Sequence, residues 1–156
     1  MPTVIIAGVL TFLVDQITKY WVVHVLELDR LRDMPIWPSF LNFKMAWNYG
    51  INFGLFQGDT DTTRWILIAI AVVISGVVLW WIRREPGGLW QHISAGLLIG
   101  GAMGNVVDRL VYGAVADFLN MSCCGIDNPY AFNVADIAVF AGALGMVIFT
   151  GEKKAA

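Results

Sequence analysis

The sequence predicts an all-α membrane protein of four transmembrane helices, with an outer loop region that holds short strands or an interfacial helix. Three observations carry this expectation. Of 156 residues, 58% are hydrophobic and only 14% are charged, with mean hydropathy +0.67. A soluble domain ordinarily carries about 25% charged residues and under half apolar ones. The charges are too few to coat a globule of this size, so much of the surface must face lipid. Four apolar stretches approach the roughly 20 residues that cross a hydrocarbon core. Finally, Trp21, Trp65, Trp80, Trp81 and Trp90 fall near the ends of those stretches, where aromatic rings favour the interface.

The first span covers about 4–26. Met1-Pro2-Thr3 brings no Lys or Arg, Asp15, Gln16 and Lys19 interrupt the apolar run, and no small-x-small site follows. The stretch therefore reads as a retained span that also directs insertion, not as a cleaved leader. Residues 27–64 are too long and too aromatic for a tether, with Trp37, Phe40, Phe43, Trp47, Phe53 and Phe56. Strands or an interfacial helix lying at headgroup depth suit them. The second span, about 65–82, contains no ionisable side chain. A tight turn holding Arg83 and Arg84 leads to the third span, about 89–111, which is rich in glycine and carries Asn105, Asp108 and Arg109. The fourth, about 132–149, carries Asn133 and Asp136 near its start.

Arg83 and Arg84 share a side with Lys153 and Lys154 in such a chain. Basic residues in short loops stay cytoplasmic, which puts both termini inside and the 27–64 and 112–131 loops outside. No composition shift, internal repeat or low-complexity segment divides the chain, so 1–156 is one domain. The formal net charge of −2 leaves no basic footprint for nucleic acid. The adjacent Cys123 and Cys124 cannot close a structural loop on each other, and no further Cys or nearby His completes a zinc set. They read as loop packing residues.

An ionisable group inside a bilayer costs on the order of 3 kcal/mol on insertion scales, so each one needs a reason. Asp15 and Lys19 are four apart with the acid first, the favourable order for a pair on one helix face. A structural ion pair and a direct role in binding are both open for them. Gly101, Asn105, Asp108 and Arg109 share one broad stripe of the third helix. Gly96, Gly100, Gly101 and Gly104 allow close helix approach. Arg109 suits a clamp on an anionic group or a carbonyl, or else an ion pair with Asp15.

Asp117 and Asp136 are the central pair. Asp117 closes the third span, Asp136 opens the fourth, and a loop over 118–132 joins them, so both fall at similar depth near the outer face. Two carboxylates sharing a low-dielectric site cannot both ionise cheaply, and one keeps its proton near neutral pH. One acid and one base can activate water against an amide. Asn133, three residues before Asp136, is placed to hold the pair through its amide. The residues alone leave other readings open: two aspartates facing water separately, a membrane binding or assembly protein, or a small proton-coupled carrier. A carrier usually shows more spans and a repeat.

The order of these residues resembles lipoprotein signal peptidase, the type II signal peptidase of bacteria. The similarity runs through five blocks: Asp15-Gln16-Ile17-Thr18-Lys19; Asn48-Tyr49-Gly50-Ile51-Asn52-Phe53-Gly54; Gly100 to Arg109; Gly113 to Phe118; and Phe132-Asn133-Val134-Ala135-Asp136. The resemblance implies an intramembrane aspartic endopeptidase with Asp117 and Asp136 as its catalytic dyad. Asp15, Lys19, Asn48, Gly101, Asn105, Asp108, Arg109 and Asn133 would line or support the site. It also implies a substrate, a prolipoprotein cut just before a cysteine already bearing diacylglyceryl, and a place in the bacterial inner membrane with the site near the periplasmic face. No metal or organic cofactor is implied; the partners are lipid-modified precursors and membrane lipid, with the enzyme a monomer. Two departures, Ile51-Asn52 where the family usually has small residues and Ala116 where it often has Val, bear on loop packing and substrate fit.

Overall fold

Pro2 opens the first helix at a position where its missing N–H costs nothing, and α1 runs Pro2–Tyr20. It continues without a break into a π-helical turn, Trp21–Val25. The computed structural model describes residues 1–37, 40–50, 60–85, 87–122 and 128–150. Phe53, Phe56, the Ile51-Asn52 departure, Cys123, Cys124, Lys153 and Lys154 lie outside the described residues. After the π turn come a single-turn helix α2 (Leu28–Leu31), bounded by left-handed Glu27 (φ 49°) and by Arg32 (φ 67°), and two strands, β1 (Asp33–Trp37) and β2 (Leu41–Asn48). Then follow α3 (Thr60–Arg84), α4 (Leu89–Tyr112), β3 (Val115–Met121) and α5 (Val134–Phe149).

Long helices thus stand close to each of the four expected spans. Among the described residues, two are long and apolar enough to cross a membrane by length and composition: 2–25, with hydropathy 1.3, and 61–84, with 2.6. The α5 helix is apolar but has 16 residues, and α4 carries Asn105, Asp108 and Arg109 in its last turns. Ile5, Ile6, Val9, Leu10, Val73, Val77, Phe140 and Val147 are exposed on α1, α3 and α5, the outward apolar surface expected of a chain in lipid.

α4 is the central helix, and glycine is why. A Cβ on Gly96 would lie 2.6 Å from Ala7 Cβ and 2.8 Å from Val4 O, so α1 packs there backbone against backbone. A Cβ on Gly101 would lie 2.6 Å from Ala135 O, so α5 does the same on another face. This is small-residue packing as helices in lipid use it.

The outer loops fold into a three-stranded antiparallel sheet in the order β1-β2-β3. Both strands and a short helix therefore occupy the 27–64 region. Two apolar cores result. One (Val4, Val78, Ile82, Ala95, Leu98, Met146) fills the end of the helices away from the sheet. The other (Val22, Leu28, Met45, Ala116, Phe118) joins the π turn and α2 to the sheet, with Phe43 edge-on to Phe118 at 5.6 Å. Asp15 and Lys19 lie on α1 between Val4 and Val22, so the buried polar groups sit between the two cores.

The expectation for Asp117 needs correction. It does not close the third helix: α4 stops at Tyr112, where Gly113 (φ 79°) makes a left-handed cap and donates its N–H to Arg109 O. The chain turns there into β3, and Asp117 is a strand residue opposite Ala46 of β2. Residues 118–132 are likewise not a plain loop. β3 runs on to Met121, and Phe132 folds back to exchange backbone hydrogen bonds with Leu119 at 2.8 and 2.9 Å.

Candidate active site

Polar side chains of α4 and its neighbours converge because of where their elements end. β2 brings Asn48 beside Asp117, through pairing of Asn48 with Val115 and Ala46 with Asp117. The Phe132 return places Asn133 at the N-terminus of α5, directly next to β3. Asn133 is the N-cap of that helix. Its side-chain oxygen accepts from Asp136 N at 2.9 Å, and its own backbone N–H donates to Asp136 Oδ2 at 3.3 Å. This capping box fixes the start of α5 and the direction of the Asp136 side chain together.

The same Asn133 donates its side-chain amide to Asp117 Oδ1 at 2.6 Å. Asn48 donates to Asp117 Oδ2 at 3.0 Å, and Asn105 donates to Asp136 Oδ1 at 3.0 Å. Both oxygens of each aspartate therefore accept one hydrogen bond from an asparagine, and Asn133 touches both acids. Its side-chain amide donates to the Asp117 carboxyl, and Asp136 is held through the cap.

The two carboxyl groups differ in surroundings. Asp117, on the strand outside the helices, is 2% exposed, whereas Asp136 is half-buried. Burial pushes the Asp117 carboxyl up to about 7, and the neighbouring Asp136 carboxylate adds to the rise. The amides of Asn48 and Asn133 and the charge of Lys19 oppose it. A group that holds a proton near neutral pH beside a second carboxyl is equipped to give and take protons.

Arg109 donates to two backbone carbonyls, Asn105 O at 3.3 Å and Gly50 O at 3.2 Å. Of the readings open for it, the ion pair with Asp15 is not the arrangement found. Asp15 instead pairs with Lys19 (2.8 Å), and Lys19 also pairs with Asp108 (2.8 Å) and donates to Asn105 Oδ1 (3.0 Å). Lys19 lies one helical turn from Asp15 on α1 and reaches Asp108 across the α1–α4 contact. Gly101, the remaining candidate, packs on the Ala135 carbonyl and contributes closeness, not a polar group.

Ten candidates thus fall in one region, nine through polar contacts and Gly101 through packing. Gln16 joins them, having entered the sequence reading only as a polar break and a motif neighbour. Its amide donates to Asp15 Oδ2 (3.1 Å), Asp108 Oδ1 (3.0 Å) and Gly104 O (3.2 Å). A polar amide next to an aspartate in an apolar run was the available signal. The backbone N–H groups of Ala116 and Ala135, bound by Asp108 and Asp15, had no side-chain signal at all.

Comparisons with known proteins agree with one another. A family model described as signal peptidase (SPase) II, Peptidase_A8, matches residues 7–151. The chain is 36% identical over 145 residues to a lipoprotein signal peptidase of Methylorubrum extorquens (strain PA1), covering 92% of this chain and 82% of that one. It is 39% identical over 149 residues to a lipoprotein signal peptidase of Alteromonas mediterranea, covering 93% and 80%. A bacterial membrane enzyme solved by the in meso method at 2.3 Å superposes with TM-score 0.82 at 27% identity, over 100% of this chain and 94% of that one.

Proposed function

This chain belongs to the signal peptidase II family, and we propose that Asp117 and Asp136 are the catalytic pair with which it removes signal peptides from prolipoproteins. It is an aspartic endopeptidase of the membrane, acting on precursors whose cysteine already bears diacylglyceryl and cutting just before that cysteine. The observation that carries the assignment of the pair is Asn133. One side chain donates to Asp117 and caps the helix that presents Asp136, so the two acids are held in a common frame.

One carboxylate takes a proton from water while the protonated partner donates to the scissile carbonyl or to the leaving amine. The pair titrates jointly, so the proton belongs to the dyad before it belongs to either acid. Asn48, Asn105 and Asn133 fix the carboxyl groups. Arg109 ties α4 to Gly50 and thereby holds the end of β2 over the site. The burial of Asp117, which raises its carboxyl, supports its role as the member protonated at neutral pH.

α1, α3, α4 and α5 form four membrane spans, with both termini cytoplasmic, in the bacterial inner membrane. The sheet and the dyad then lie at the periplasmic side, and the monomer is the working unit. The apolar segment of the signal peptide and the two acyl chains partition into the same bilayer, which brings the scissile bond to the depth of the dyad before chemistry begins. The test is cleavage of a purified lipidated precursor by the wild type, Asp117→Asn and Asp136→Asn. Turnover by the wild type alone supports the assignment; near-normal turnover by either variant sinks it.

A further inference from the structure

Asp15, Asp108 and Lys19 are 0%, 1% and 4% exposed, and the ammonium of Lys19 uses all three of its donors on Asp15 Oδ2, Asp108 Oδ2 and Asn105 Oδ1. The remaining bonds of this cluster lead outward to the catalytic pair. Asp15 Oδ1 accepts the backbone N–H of Ala135 at 2.9 Å, and Asp108 Oδ2 accepts the backbone N–H of Ala116 at 3.2 Å. Each of these alanines immediately precedes one aspartate of the pair. The third partner, Asn105, donates to Asp136 Oδ1 at 3.0 Å.

We propose that Lys19 is a positioning residue: by gripping Asp15 and Asp108 together, its ammonium pins the backbone just before Asp136 and just before Asp117 and sets the separation of the two acids. The proposal rests on the assignment of Asp117 and Asp136 as the catalytic pair. The Leu119–Phe132 backbone bonds and Asn133 join β3 to α5 directly, and the Lys19 cluster additionally ties both to α1 and α4. Charge-assisted bonds to buried groups are shorter and stiffer than neutral ones, and burial removes screening by salt.

The charges of the cluster argue against a purely structural ion pair. Asp15 and Lys19 alone would balance. Asp108 adds a second acid to the one buried ammonium, more than a simple ion pair requires. What the second acid adds is the bond to Ala116, and with it a link to the other half of the pair. Gly104 belongs to the same device, because a Cβ there would collide with Asp15 Oδ2.

The experiment compares purified full-length wild type, Lys19→Met, Asp15→Asn, the double variant and Asp117→Asn on one lipidated precursor, with kcat, KM and the melting transition measured for each. For Lys19→Met, kcat falls about 100-fold, the cost of misplacing reacting groups by about 1 Å, while KM stays within about twofold. Both single changes break the same link, so the double variant is no worse than the poorer single variant. A rise in KM with kcat intact, or losses that multiply in the double variant, overturns the proposal. If Lys19→Met does not fold, the double variant, which removes one acid and one base together, is compared with Asp15→Asn. An equal or higher kcat in the double variant supports the proposal, and a kcat about tenfold lower overturns it. Activity retained by Asp117→Asn overturns the catalytic assignment on its own, whatever Lys19 does.

Discussion

The side-chain amide of Asn133 donates to Asp117 Oδ1 at 2.6 Å, linking the cap of α5 to the middle of β3. Asn133 thus performs two tasks that different substitutions can separate. Serine at this position keeps an N-cap oxygen for Asp136 N but is too short to supply the amide donated to Asp117. Asn133→Ser should retain its melting temperature to within a few degrees and lose at least about tenfold in kcat. Asn133→Ala removes the cap as well, which adds about 1 kcal/mol of destabilisation. Differential scanning fluorimetry in detergent alongside cleavage rates checks both; equal activity in Asn133→Ser and wild type would show that the donated amide does not matter.

Replacement of either acid of the pair removes a proton-transferring group and leaves the surrounding asparagines in place. Asp117→Asn and Asp136→Asn should each reduce cleavage by at least about 1,000-fold, within the range assigned to general acid–base groups. Both proteins should remain folded and membrane-inserted. Cleavage of the lipidated precursor, followed by gel mobility, measures this directly.

Asp117 also predicts a pH dependence of stability. Its folded-state carboxyl is raised from 3.8 to about 7, so between those values the folded chain binds more protons than the unfolded one. Stability from this group is therefore fully present below about pH 4 and declines as pH rises to about 7, after which it is level. Asp117→Asn lacks the effect. Its melting temperature relative to wild type should climb across that window and then stay constant. A difference that is flat from pH 4 to 8 would remove Asp117 as the source.

Arg109 spends two donors on the protein's own carbonyls, at Asn105 and Gly50. Arg109→Ala should lower kcat/KM by about tenfold or more, because the end of β2 that presents Asn48 to Asp117 loses its tie to α4. Arg109→Lys, a single point charge without the planar fork, should recover only part of the loss. Unchanged turnover by Arg109→Ala at equal protein level would make the tie purely structural.

Gly101 offers a prediction about packing alone. A methyl group there would meet Ala135 O at 2.6 Å, and neither backbone has room to yield. Gly101→Ala should cost about 1–3 kcal/mol, as overpacking in a close interface does. The melting transition should fall with it, and activity should drop because α5 carries Asp136.

Much of this protein was legible before any fold was known. The apolar runs located every long helix to within about five residues, as expected of helices that satisfy their backbone internally. The charges within apolar runs identified themselves by their expected cost: Asp15, Lys19, Asp108 and Arg109 stand out for the same physical reason that keeps such groups rare in spans. The aromatic residues of 27–64 announced folded structure, though not which structure.

What the sequence determined by itself was the membrane setting, the helices and the set of polar residues that needed partners. What only the tertiary structure decided was who those partners are. Asp117 looked like the end of a helix because the apolar run continues past Tyr112, but the left-handed cap at Gly113 turns the chain into a strand, and pairing with β2 is a contact over some seventy residues that no local pattern encodes. Arg109 and Lys19 were equally plausible partners for Asp15 by charge alone. The close α1–α4 contact made by Gly96 and Gly100 sets α1 against the face of α4 that holds Asp108, and this settles the pairing for Lys19. The links from Asp15 and Asp108 to Ala135 and Ala116 end on backbone N–H groups, which every residue but proline carries, so the residues themselves could not mark them.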